Sequence, residues 1–86
     1  MYDVEFSPRA QRNFLRLPRQ VQERVQRELE RLRADPFHRG TKPLQGGLAP
    51  YRRARVGDYR IVYQVETDRI VVFIVEIVHR SGAYRD

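Results

Sequence analysis

The feature that most constrains this chain is the run Ile70 to Val78, in which only Glu76 is not apolar. A run of this length, dominated by valine and isoleucine, reads as a strand buried on both faces in the middle of a sheet. Such a strand needs a hydrogen-bonded neighbour on each side and cover above and below. The rest of the 86-residue chain must supply both, and that length allows a single domain, 1–86, with a modest core.

The neighbours are legible upstream. From Tyr51 the pattern has a period of two, and Gly57-Asp58 separates two strand-like runs as a two-residue hairpin turn of the II′ kind. That turn sets Val56 opposite Tyr59, Arg55 opposite Arg60, Ala54 opposite Ile61 and Arg53 opposite Val62. A second turn at Thr67-Asp68 would pair Glu66 with Arg69, Tyr63 with Val72 and Ile61 with Ile74. One face then carries Ala54, Val56, Tyr59, Ile61, Tyr63, Val65, Ile70, Val72 and Ile74, and the other carries Arg53, Arg55, Arg60, Val62, Val71, Phe73, Val75 and Ile77. Residues Tyr2 to Phe6 alternate apolar and acidic and form a first strand. Ser7-Pro8 starts a helix, with serine as N-cap and proline at its first position. Pro18 interrupts it, and Val21, Val25, Leu29 and Leu32 mark a longer second helix that ends near Asp35-Pro36. The proline- and glycine-rich stretch from Pro36 to Pro50 reads as a loop anchored by Leu44 and Leu48. The expected fold is therefore α+β: an N-terminal strand, a helical hairpin, then an antiparallel sheet of three further strands.

The formal net charge of +6 favours a polyanionic partner. Lys42 is the only lysine, so the positive charge is almost all arginine, whose planar fork grips phosphate well. Cysteine is absent, which rules out disulfides and thiolate chemistry. His38 and His79 lack zinc-ligand spacing, so metal-free chemistry is expected. There is no signal-peptide pattern or membrane-spanning apolar run, so a cytoplasmic location and no membrane partner are expected.

The hairpin register places Arg53, Arg55 and Arg60 on one face. Arg53 and Arg55 stand about 6.6 Å apart along their strand, and Arg55 directly opposite Arg60 is a repulsion that an anion or an acidic neighbour would relieve. Such a face is suited to phosphate; the alternative is a set of solvated edge residues that discourage strand pairing. Beyond the apolar strand comes His79-Arg80-Ser81-Gly82-Ala83-Tyr84-Arg85-Asp86. RNA is cut without metal when its 2′-hydroxyl attacks the adjacent phosphate while cations stabilise the phosphorane and an acid protonates the leaving oxygen. Arg60 and Arg80 suit charge stabilisation. Tyr84 suits base stacking, 2′-hydroxyl orientation or proton exchange, or simply docks in a groove. His79, expected on the face of Arg60, has a side chain that ordinarily titrates near neutrality, although a strand-end histidine bonded to backbone is the commoner role. Glu76 is read as a partner for a helix arginine.

The segment Tyr51-Arg52-Arg53-Ala54-Arg55-Val56-Gly57-Asp58-Tyr59-Arg60-Ile61-Val62-Tyr63, with the apolar strand and the His79-Arg80...Tyr84 ending, resembles the RelE/ParE toxin superfamily. The likeness spans nearly the whole chain, including the Ser-Pro-Arg-Ala helix start and the loop carrying Lys42-Pro43-Leu44, and the ending is most similar to the RelE branch. The resemblance implies a sheet like that of microbial ribonucleases, cleavage of mRNA in the ribosomal A site, no cofactor, and inactivation in a hetero-oligomer with a cognate antitoxin protein. It implies catalytic roles for Arg60, Arg80 and Tyr84, with His79 as a further candidate, and RNA binding by Arg53, Arg55, Arg52 and Lys42. The chain departs from family members that offer lysines, or a glutamate with a terminal histidine. Arginine stays protonated and is a poor base, so proton abstraction falls to Tyr84 or His79, or catalysis rests on charge stabilisation and orientation. A gyrase inhibitor of the ParE kind and a purely docking module are the alternatives.

Overall fold

The computed structural model of the protein describes residues 1–44 and 50–83. In chain order these form β1 (Asp3–Phe6), α1 (Pro8–Arg16), α2 (Arg19–Ala34), β2 (Thr41–Pro43), β3 (Tyr51–Val56), β4 (Tyr59–Glu66), β5 (Val71–His79) and the single turn α3 (Arg80–Ala83). One sheet holds all five strands in the order β1-β5-β4-β3-β2. The α+β class, the helical hairpin and the antiparallel β3-β4-β5 set agree with the sequence expectation, and the apolar run lies inside the sheet. The sheet is mixed, because β1 pairs with β5 in parallel. It also gains β2 from the segment read as a loop, with Lys42 opposite Arg53. Pro43 is tolerated there because β2 is an edge. Leu48 lies outside the described residues.

Helix α1 begins as its sequence dictates. Ser7 Oγ accepts from the Ala10 N–H at 2.9 Å, and the same hydroxyl donates to the Val75 carbonyl at 2.6 Å. Those two bonds tie the helix start to the central strand. Beyond Phe6, β5 has no strand on that side, and α1 completes its edge: the Ile77 N–H donates to Asn13 Oδ1 at 3.0 Å. Backbone groups that would otherwise be unpaired are thereby satisfied. Both helices cover one face, where Ala10, Val25, Leu29 and Leu32 meet Ala54, Val56, Ile61, Tyr63, Val72, Ile74 and Ile77. Burial of side chains such as Leu32 and Ile61, both fully inaccessible, stabilises the fold by roughly 1.5–3 kcal/mol each. Tyr63 is also fully buried, and its hydroxyl donates to the Pro36 carbonyl at 2.6 Å, pinning the exit of α2 to the sheet.

The first hairpin has the expected register throughout, but the β4-β5 pairing differs. The connection is a four-residue turn, Thr67 to Ile70, with Ile70 at φ 57, so Glu66 opposes Val71 and Tyr63 opposes Ile74. The Glu66–Arg69 ion pair exists at 2.6 Å, but within the turn rather than across two strands, and Arg69 also reaches Glu5 on β1 at 3.0 Å. Ile70 is half exposed rather than part of the core. A bulge then intervenes, since Tyr63 opposes Ile74 while Val62 opposes Glu76 and Val75 is left over. Past it the alternation inverts. Ile77 joins Ile61 in the core instead of the far face, Val78 lies opposite Arg60, and His79 lies opposite Tyr59. Among the described residues, no helix is long and apolar enough to cross a membrane.

Candidate functional site

Gly57 adopts φ 59 and Asp58 has no positive φ, the signature of a II′ hairpin, so β3 and β4 meet in tight antiparallel register. That register sets Arg55 directly opposite Arg60. A third arginine arrives on another element. The Arg80 N–H donates to the Asp58 carbonyl at 2.7 Å, and Arg80 Nε lies 3.6 Å from Asp58 Oδ1. Both side chains are exposed, so the ion pair itself adds little stability. Its effect is positional, fixing the start of α3 against the turn.

Arg55, Gly57, Asp58, Tyr59, Arg60 and Arg80 enclose a notch of about 80 Å³. Among the described residues, three guanidinium groups share it with one carboxylate, that of Asp58. Like charges this close favour an anion between them, and arginine's fork suits a phosphate. Two residues along β3, Arg53 shares the face and opposes Lys42 on β2, which extends the basic surface across three strands. Arg53 therefore stands where the sequence register put it, and β2 brings Lys42 beside it.

Two candidates lie off that face. Arg52 opposes Tyr63, the side that carries the core; its Nη2 donates to Thr41 Oγ1 at 2.7 Å and its guanidinium lies over the Phe37 ring, 5.0 Å from the centroid. Strand alternation sets this RNA-binding candidate on the side opposite Arg53. The expected position of His79, on the face of Arg60, is corrected. The bulge at Val75 turns it to the side of Tyr59, whose ring it meets edge-on at 5.1 Å. His79 Nδ1 accepts from the Ser81 N–H at 3.1 Å, with Ser81 Oγ at 2.7 Å. This leaves the proton of the neutral ring on Nε2. The ring closes the end of β5 rather than facing Arg60. Tyr84 lies outside the described residues. Glu76 pairs with Arg9 of α1 at 3.4 Å, the helix-arginine partnership read from the sequence, although by register it lies on the side of Val62.

Two neighbours of the turn escaped the sequence reading. Asp58 was read only as a turn residue, yet it holds Arg80 through both its carbonyl and its carboxylate. Arg24 of α2 reaches over the turn, so that a methyl group on Gly57 would lie 2.8 Å from Arg24 Nη1. Nothing local signals either contact, because Arg80 and Arg24 both lie far from the turn along the chain.

Comparison with known proteins gives a consistent result. Residues 4–84 match the family described as ParE toxin of type II toxin-antitoxin system, parDE. Toxin RelE of Mycobacterium tuberculosis is 36% identical over 85 residues, spanning 98% of this chain and 87% of its own length. Toxin RelG of the same organism is 33% identical over 85 residues, spanning 98% and 97%. Among solved structures, the toxin-antitoxin complex RelBE2 from M. tuberculosis contains a chain that is 32% identical with a TM-score of 0.82, covering 92% of this chain and 98% of that one. The isolated RelE toxin of E. coli is 26% identical with a TM-score of 0.82, covering 100% and 88%.

Proposed function

The chain belongs to the ParE toxin family of type II toxin-antitoxin systems, and from that membership we propose that it is an mRNA endonuclease of the RelE kind, acting in the ribosomal A site and held inactive by a cognate antitoxin. The observation that carries the reading is the convergence of Arg55, Arg60 and Arg80 on one notch beside the β3-β4 turn. In the proposed reaction the 2′-hydroxyl of the RNA loses its proton and its oxygen bonds to the adjacent phosphorus. The bond from phosphorus to the 5′-oxygen breaks, and that oxygen takes a proton as it leaves. Arg60 and Arg80 neutralise the charge that builds on the phosphorane, the largest contribution a preorganised cationic site makes. Arg55, Arg53 and Lys42 grip neighbouring phosphates, and Tyr84 orients the nucleotide or exchanges a proton. Antitoxin binding is supported by the complexed relative from M. tuberculosis.

The test is to add purified protein to a translating extract and map mRNA 5′ ends by primer extension. Cuts at A-site codons that vanish in the Arg60→Ala/Arg80→Ala variant support the reading, and uninterrupted translation overturns it. A second reading, inhibition of DNA gyrase, is favoured by the ParE family match and by His79 facing away from Arg60. Loss of supercoiling activity with intact mRNA would select it.

A further inference from the structure

A second groove, of about 310 Å³, shares Arg55 with the notch and is lined by Arg24, Arg27 and Arg31 of α2 together with Glu28 and Val56. The spacing of three and four residues puts the α2 arginines on one helix face, spread over about 10 Å of axis. Glu28, the only carboxylate lining the groove among the described residues, is buried and already engaged. His38 Nε2 approaches its Oε2 at 2.8 Å, and Arg31 donates to its Oε1 at 3.3 Å. Arg24, Arg27 and Arg55 have no ion-pair partner among the described residues. Such a surface is held open at a cost in self-repulsion that a bound polyanion removes.

We infer that this groove is a second RNA site, adjoining the notch, which grips the phosphate backbone of a folded, base-paired RNA through Arg24 and Arg27, with Arg55 at the boundary that the two sites share. The chemistry of the lining selects that partner. A protein helix needs an apolar centre to its groove, and among the described residues Val56 is the one apolar side chain that lines it. Single-stranded RNA is held by stacking its bases on aromatic rings, and among the described residues no aromatic side chain lines the groove. Paired RNA shields its bases and is recognised by backbone and shape. The inference deepens the proposed function, on which it rests for the identity of the RNA: the notch takes the strand to be cut while α2 docks on structured RNA beside it.

The experiment titrates the full chain with a short blunt RNA duplex, and separately with a single strand of the same length, over a salt series. Each phosphate contact adds about 0.9 to the slope of log affinity against log salt for a duplex. Arg24→Gln/Arg27→Gln should lower the magnitude of that slope by about 1.8, so that the advantage of the unaltered protein shrinks about tenfold between roughly 50 and 200 mM salt. Arg24→Lys/Arg27→Lys should restore the slope, which a folding defect would not allow. On ribosomes, the glutamine variant should require more protein for half-maximal mRNA cleavage yet reach the same cleavage rate at saturation. An unchanged duplex slope overturns the inference, and so does a loss of antitoxin binding with RNA binding intact, which would make the groove a protein dock. If the unaltered protein fails to cut mRNA at all, the proposed function falls while the duplex slope still decides the groove.

Discussion

Replacing Gly57 by alanine isolates the backbone requirement of the hairpin that assembles the notch. At φ 59 an L residue with a Cβ crowds its own carbonyl, at a cost of about 1–2 kcal/mol. The added methyl would also lie 2.8 Å from Arg24 Nη1, but that atom is the tip of a long exposed side chain and swings aside with little loss. The backbone effect therefore dominates. For a domain of this size about 1 kcal/mol corresponds to roughly 4–8 °C, so a Tm lower by about 4–16 °C is expected in a thermal melt followed by circular dichroism. Gly57→Asn should lose a comparable amount, because asparagine's tolerance of positive φ is for the left-handed helical region and the first position of a II′ turn lies outside it. Combining Gly57→Ala with Arg24→Gln should not recover the loss, since crowding by the guanidinium is not its cause. If alanine melts with the unaltered protein, or if removing the Arg24 guanidinium rescues the variant fully, the assignment of the cost to φ is wrong.

Three further outcomes are expected. Tyr63→Phe keeps the ring and strands the Pro36 carbonyl, so urea unfolding should show a loss of about 1–3 kcal/mol. Ile70→Asn should raise the Tm, because a β-branched residue at φ 57 with half its surface exposed carries backbone strain of about 1–2 kcal/mol and contributes little burial. His79→Ala should leave mRNA cleavage by the purified protein within about tenfold of normal, whereas loss of a general acid or base costs about 10²–10⁴-fold; a drop of that larger size would return His79 to the chemistry.

What could be read from the chain depended on how tightly local geometry constrained each element. Gly57-Asp58 permits one short turn, and from it the opposition of Arg55 and Arg60 followed without knowledge of anything distant. The turn after Glu66 was misread because Thr67-Asp68 looks like a sufficient reversal, and nothing about an isoleucine suggests left-handed backbone at position 70. The bulge at Val75 was illegible for a deeper reason. Where residues on both sides of a strand are apolar, hydrophobicity does not say which way each points, so a one-residue slip leaves no trace in the pattern. That single slip moved Ile77 into the core and turned His79 from the arginine face. The pairing of β1 with β5 was likewise silent, since neither strand carries a mark of its partner's position. The helix boundaries, by contrast, were written in Ser7-Pro8, Pro18 and Asp35-Pro36.

The parallel alliance of β1 with β5 has a bearing on how the protein is made. Sheet order places β5 between β1 and β4, and Ser7 finds its backbone and hydroxyl partners on β5, 68 residues downstream for the Val75 bond. Until that strand has emerged from the translating machinery, the opening strand and its helix have nothing to close upon. Arg80 follows β5 directly, so the cationic cluster is completed only once β5 has joined the sheet. A nascent chain is thus a set of disconnected hairpins, and the capacity to grip a phosphate arises late and all at once.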